Sequence, residues 1–153
     1  AQLTKGAFYH HFDSKEALYQ HLYTPQLDTY LASHFSISED ADGKTLLLAL
    51  ADATLSFSEE IGREMTSLSI TVMLNRGTSH LFTEGRVHTR LLHQALSQSQ
   101  AGNQLKCEGS EHELMLIYSC LMVGFLVKWA SLADESNFDW HNLLQREMQL
   151  MFC

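Results

Sequence analysis

Apolar residues recur along this chain at intervals of three and four, the spacing of one face of an α-helix, and no stretch alternates in the period of two that marks a half-buried strand. The pattern predicts a short helix opening at Thr4, then a long one over residues 14–34 with Pro25 as a bend or break. A polar, acidic loop follows at 36–43, and Asp42 is placed to cap a leucine- and alanine-rich helix over 44–61. Further helices are predicted over 64–74, closed by Gly77, and over 79–101, where Val87, Leu91, Leu92, Ala95 and Leu96 form the stripe and Gly102 stands beyond the end. Ser110 and Glu113 have the spacing of a capping box for a helix reaching to about residue 133. That helix is apolar nearly all round and is expected to be the most buried. A last helix is predicted over 138–152, with Leu144, Met148, Met151 and Phe152 facing inward. The expected fold is therefore all-α.

The first residues carry a more specific pattern. Thr4 can accept a bond from a free backbone N–H, and Leu3 before it and Phe8 after it have the spacing of a hydrophobic staple. Asp13 and Glu16 then make a second start signal, so a short helix, a tight break and a long helix follow one another. On the short helix Phe8 and Phe12 share the side that must pack inward. The opposite side presents Gly6 and His10, flanked by Lys5, Tyr9, Ala7 and His11. Small residues let a helix approach a groove, and Lys, Tyr and His reach phosphates or base edges. An ordinary solvated helix face would show the same periodicity.

The run Thr4 to Phe12, with Ser14 to Leu18 behind it, closely resembles the recognition helix and next helix of the TetR family of regulators. The family pattern [ST]-x-G-x-[FLI]-Y-x-[HY]-F, two residues, then K-x-x-L is matched at Thr4, Gly6, Phe8, Tyr9, His11, Phe12, Lys15 and Leu18. The resemblance implies phosphate contacts by Thr4, Tyr9, His11 and Lys15. It sets Lys5, Ala7 and His10 at the groove, with Gly6 allowing close approach. It also implies a helix-turn-helix head of which only part lies here, because the family places two helices ahead of this point, and the protein is expected to extend further at its N-terminus. The chain then divides into residues 1–34, the rest of the head and a linker helix, and 35–153, a ligand-binding and dimerisation body.

The segments 92–105 and 121–129 resemble the C-terminal half of many family members. This implies that the last two helices pair with their copies about a two-fold axis, with Leu114, Ile117, Leu121, Gly124, Leu144 and Met148 in the interface. Ser119 and Gly124 suit close helix approach, though they could equally relieve crowding inside one subunit. Family members bind an effector inside the body. Phe57, Met65, Ser69, Met73, His88, Tyr118, Phe125 and Trp129 are the candidate pocket residues, and methionine and aromatic walls suit an apolar or aromatic ligand. The function so implied is a repressor that binds a palindromic operator on double-stranded DNA as a homodimer and is released by a small molecule.

Composition changes this picture in three places. An apolar share of 45% supports a packed core, and a net charge of −8 makes the chain a poor non-specific binder of nucleic acid, so DNA contact must be local and geometric. The three cysteines are odd in number and widely spaced, which fits free thiols in the cytoplasm and no zinc site. The nine histidines do not cluster as metal ligands: Cys107, Glu108 and His112 have no second group, and His88 and His93 are on different helix faces. No metal and no cofactor is expected. No nucleophile elbow or phosphate loop appears, and Glu59 and Glu60, adjacent on a helix, diverge into solvent, so an enzyme is not expected. A protein-binding module that has lost DNA binding is the alternative that the acidic charge favours.

Overall fold

The computed structural model describes residues 15–36, 40–76, 85–132 and 138–152, with side chains from Tyr23 onwards except those of Asn75, Arg76 and Met151; the short helix predicted at Thr4, the Asp13 cap, the Gly77 terminator and the inward Met151 side chain lie outside what is described. These residues form six helices and no strand: α1 (Lys15–His34), α2 (Gly43–Ile61), α3 (Arg63–Arg76), α4 (Val87–Ala101), α5 (Glu111–Ser131) and α6 (Trp140–Met151). The all-α expectation holds.

Local sequence sets several boundaries as expected. Asp42 accepts the Thr45 N–H at 2.7 Å and starts α2. At α5, Ser110 accepts the Glu113 N–H at 3.3 Å while Glu113 accepts the Ser110 N–H at 2.7 Å, the reciprocal bonds of a capping box. Asp139, not anticipated, caps α6 through the Asn142 N–H at 2.9 Å. Pro25 does not break α1.

The start of α4 differs from expectation. Residues 85 and 86 are not helical, and Gly85 sits at φ +89°, a left-handed conformation that interrupts any helix arriving from residue 79. The cap comes from another helix: Asp28 of α1 accepts the His88 N–H at 3.1 Å and the Arg86 Nε–H at 3.3 Å. No sequence-local signal encodes that bond.

One core joins α1, α2, α4, α5 and α6, with Ile70 of α3 packed against it. Leu47, Leu50 and Leu55 of α2, Leu92 and Leu96 of α4, Leu114 of α5 and Leu144 and Met148 of α6 are fully enclosed. Leu27 and Leu31 of α1 belong to the same core, with Tyr23 and Tyr30 packed against it. The linker helix is therefore built into the body from Tyr23 onwards.

Length and apolarity alone would let α5 cross a membrane. Here Leu114, Met115, Tyr118, Met122, Phe125, Leu126 and Trp129 bury one side of it in the bundle. The other side stays open, with Leu116 38% and Val127 45% exposed, so α5 is not buried all round as its composition implied.

Candidate functional site

Five helices border a cavity of about 80 Å³. Tyr23, Thr24 and Leu27 of α1 form one wall, and Ser69, Ile70 and Met73 of α3 face it. Arg86 and His88 close the end at the start of α4, and Tyr118, Ser119, Met122, Val123 and Leu126 of α5 complete the lining with Thr54 of α2. The residues come together through helix periodicity: 69, 70 and 73 share one face of α3, while 118, 119, 122, 123 and 126 share one face of α5.

Most of the wall is aliphatic or thioether, and among its polar groups Thr54 and His88 both lie beside Tyr118. Thr54 and Ser69 donate their hydroxyl protons to the carbonyls of Leu50 and Met65, at 2.8 and 2.7 Å. The Tyr118 hydroxyl is buried close to the Thr54 hydroxyl, which interacts with it; the Thr54 proton is already given to Leu50, and the Tyr118 O–H makes no hydrogen bond of good geometry among the described residues. Burial holds its pKa above the ordinary value for tyrosine, against a smaller lowering by the Thr54 hydroxyl, so it stays a neutral O–H. The His88 ring lies 6.1 Å from that of Tyr118, centroid to centroid. Enclosure pushes the His88 pKa down to about 4, helped by the nearby Arg86 charge and opposed by Asp28, so the imidazole is neutral at physiological pH. Arg86 itself is engaged with Asp28.

Of the residues predicted for a pocket, Ser69, Met73, His88 and Tyr118 line this cavity and the other four do not. Phe57 packs under Tyr23 and Tyr30, each 5.4 Å away, and so supports α1. Phe125 meets Trp140 edge-on at 5.9 Å, and Trp129 lies under the Arg63 guanidinium at 5.3 Å. Met65 is half-buried elsewhere on α3. Sequence reasoning passed over Thr54 and Arg86, whose positions on polar steps of amphipathic segments carry no local mark of the cavity.

A second surface lies across α5 and α6, where Leu116, Ile117, Cys120, Leu121, Glu147 and Leu150 line an apolar groove. Leu150 is 72% exposed. A methyl group added at Gly124 would meet nothing within 4 Å, so this glycine relieves no crowding inside the subunit. Ser119 instead faces the cavity. Leu114, Leu144 and Met148, predicted for a subunit interface, are completely buried in the chain's own core and offer a second copy no surface. Their place on the open face is taken by Leu116, Cys120, Val127 and Leu150.

The histidines form no metal cluster among the described residues. His141 of α6 does meet two carboxylates of α2, Asp52 through Nδ1 at 2.6 Å and Glu59 through Nε2 at 3.0 Å. Glu59 is thus paired rather than free in solvent. Partial burial works against charge on His141, but hydrogen bonds and attraction from Asp52 and Glu59 outweigh it and raise the pKa. A raised pKa contributes stability that is fully present below the ordinary histidine value of ~6.5 and lost as pH rises through the folded-state value. The groups are well exposed, so the effect is about that of a surface pair, under roughly 1 kcal/mol. Urea denaturation of the wild type and His141→Gln should show the wild type ahead at pH 6 and the difference shrinking by pH 9.

The DNA-contact candidates Thr4, Lys5, Gly6, Ala7, Tyr9, His10 and His11 lie outside the described residues, and Lys15 is described only as the first residue of α1. The model of the family described as bacterial regulatory proteins, tetR family, matches residues 1–22. Neither the curated proteins nor the solved structures contain a match.

Proposed function

We propose, from the match of residues 1–22 to the tetR family model, that this chain is part of a TetR-type regulator: a cytoplasmic, non-catalytic repressor that grips a short palindromic operator as a dimer and releases it when a small molecule enters the cavity. One observation carries the reading. Helix α1 begins inside the family-matched segment, runs on to His34, and contributes Tyr23, Thr24 and Leu27 to the cavity wall. A ligand pressing on that wall acts on the element that leads to the DNA head. Asp28 adds a second link, because it joins α1 to the two cavity residues Arg86 and His88. A two-headed grip tolerates little change in spacing, so a small rotation of α1 weakens it.

The open α5–α6 face supports the dimer. It is apolar, it includes Leu116, Leu121, Val127 and Leu150, and Gly124 leaves room for a close neighbour. A two-fold axis through such a face builds a four-helix interface from two helices of each copy.

Selection from random duplex DNA with the intact protein tests the reading. Enrichment of a near-palindrome is expected. Lys15→Ala should weaken all sites alike and lower the salt slope by about one, whereas His10→Ala should change the preferred sequence. No preference over random DNA at moderate salt would overturn the repressor reading and leave the protein-binding module.

A further inference from the structure

Resting on the effector reading above, we infer that the effector is an uncharged, one-ring-sized molecule with an apolar body and a single hydrogen-bond acceptor, such as a carbonyl, that takes the proton of Tyr118. The argument starts from what the cavity lacks. Its buried Tyr118 O–H makes no hydrogen bond of good geometry among the described residues. Leaving such a group unpaired is costly, so a ligand that accepts from it gains more than one that leaves it as it is. His88, neutral and beside Tyr118, brings one N–H and one lone-pair nitrogen to the same end. The hydroxyl protons of Thr54 and Ser69 are spent on backbone carbonyls, and Arg86 is spent on the Asp28 carboxylate.

Charge points the same way. A carboxylate in the cavity would have to take Arg86 from Asp28, and with it disturb the Asp28 bond that caps α4. A cation would face a neutral imidazole and a phenol. Neither ion finds a free counter-charge, and an unpaired buried ion is the most expensive occupant a closed site can have. The body of the ligand meets Leu27, Ile70, Met73, Met122 and Leu126. Thioether side chains adapt to shape, and the volume of about 80 Å³ calls for a small ligand.

Four matched probes test this on the intact protein: acetophenone, ethylbenzene, benzoate and benzylammonium. Calorimetry gives affinity, and the methyl resonances of Met73 and Met122 report occupancy of the cavity. Acetophenone is expected to shift both methyls and to bind about fivefold more tightly than ethylbenzene, the worth of one neutral hydrogen bond. Tyr118→Phe should erase that advantage and leave ethylbenzene unchanged. This variant removes only a hydroxyl that makes no well-formed hydrogen bond and should fold with unchanged or higher thermal stability. Tighter binding of benzoate or benzylammonium than of acetophenone would overturn the class, as would equal acetophenone binding by wild type and Tyr118→Phe; in both cases the cavity would remain an effector site. If no probe moves the Met73 and Met122 methyls at millimolar concentration, the effector reading itself falls, and this inference with it.

Discussion

Leu116→Asp and Leu144→Asp, substitutions on the two helices that carry the proposed interface, are expected to fail in opposite ways. Leu144 has no exposed surface and sits in the core among α2, α5 and α6. An aspartate there must either strip its charge of water or push the helix out, and the loss exceeds about 4 kcal/mol, a large part of a typical total stability of ~5–15 kcal/mol. That chain should be unfolded or insoluble. Leu116 is 38% exposed on the open face of α5. Aspartate there stays hydrated in the single subunit, so folding should survive, while two such charges facing each other across a two-fold axis oppose dimerisation. Sedimentation should then find a folded monomer, and tight operator binding should be lost because two heads are needed at a set spacing. A Leu116→Asp chain that remains a dimer at micromolar concentration would remove α5 from the interface.

Gly43→Ala is expected to be strongly destabilising, against the usual sign. At a helix start alanine normally gains up to about 1 kcal/mol over glycine. Here a Cβ would lie 2.2 Å from the Ser99 backbone nitrogen, 2.5 Å from its Oγ and 2.6 Å from the Ala95 carbonyl oxygen. Two of those three atoms are backbone, so relief requires α2 and α4 to move apart, and this pair makes the broadest helix contact in the bundle. Overpacking of this kind costs about 1–3 kcal/mol, and each kcal/mol lowers the melting temperature of a chain this size by roughly 2–4 °C. Gly124→Ala is the control. With nothing within 4 Å, it should leave the isolated subunit as stable or slightly more so. Thermal melts of the two variants side by side check the contrast; equal melts would mean that α2 and α4 do not approach as described.

Much of this protein was legible in its residues because the signals are short-ranged. Asp42 and the Ser110–Glu113 pair fixed where α2 and α5 begin, since a cap acts within one turn on N–H groups that have no other partner. The spacing of Leu92, Ala95 and Leu96 identified the inner side of α4, because burial follows the 3.6-residue period. The motif from Thr4 to Leu18 carried the resemblance to the TetR family, and the family model matches that same stretch, as a fixed set of side chains at fixed spacing allows without reference to the body.

Tertiary structure decided the rest, for a physical reason that recurs. The start of α4 depends on Asp28, which is 60 residues away from His88 in the chain. The pairing of His141 with Asp52 and Glu59 spans 89 and 82 residues, so no local pattern could show that Glu59 has a partner. On α5 the sequence is apolar on every side. Periodicity then carries no information about direction, and only packing chose Leu114 and Tyr118 for the core and left Leu116 and Val127 outside. The cavity was half legible for the same reason. Composition marks Met73, His88 and Tyr118 as capable of lining a pocket, but a pocket is the space that packing leaves unfilled, and which side chains border it is settled only when five helices meet.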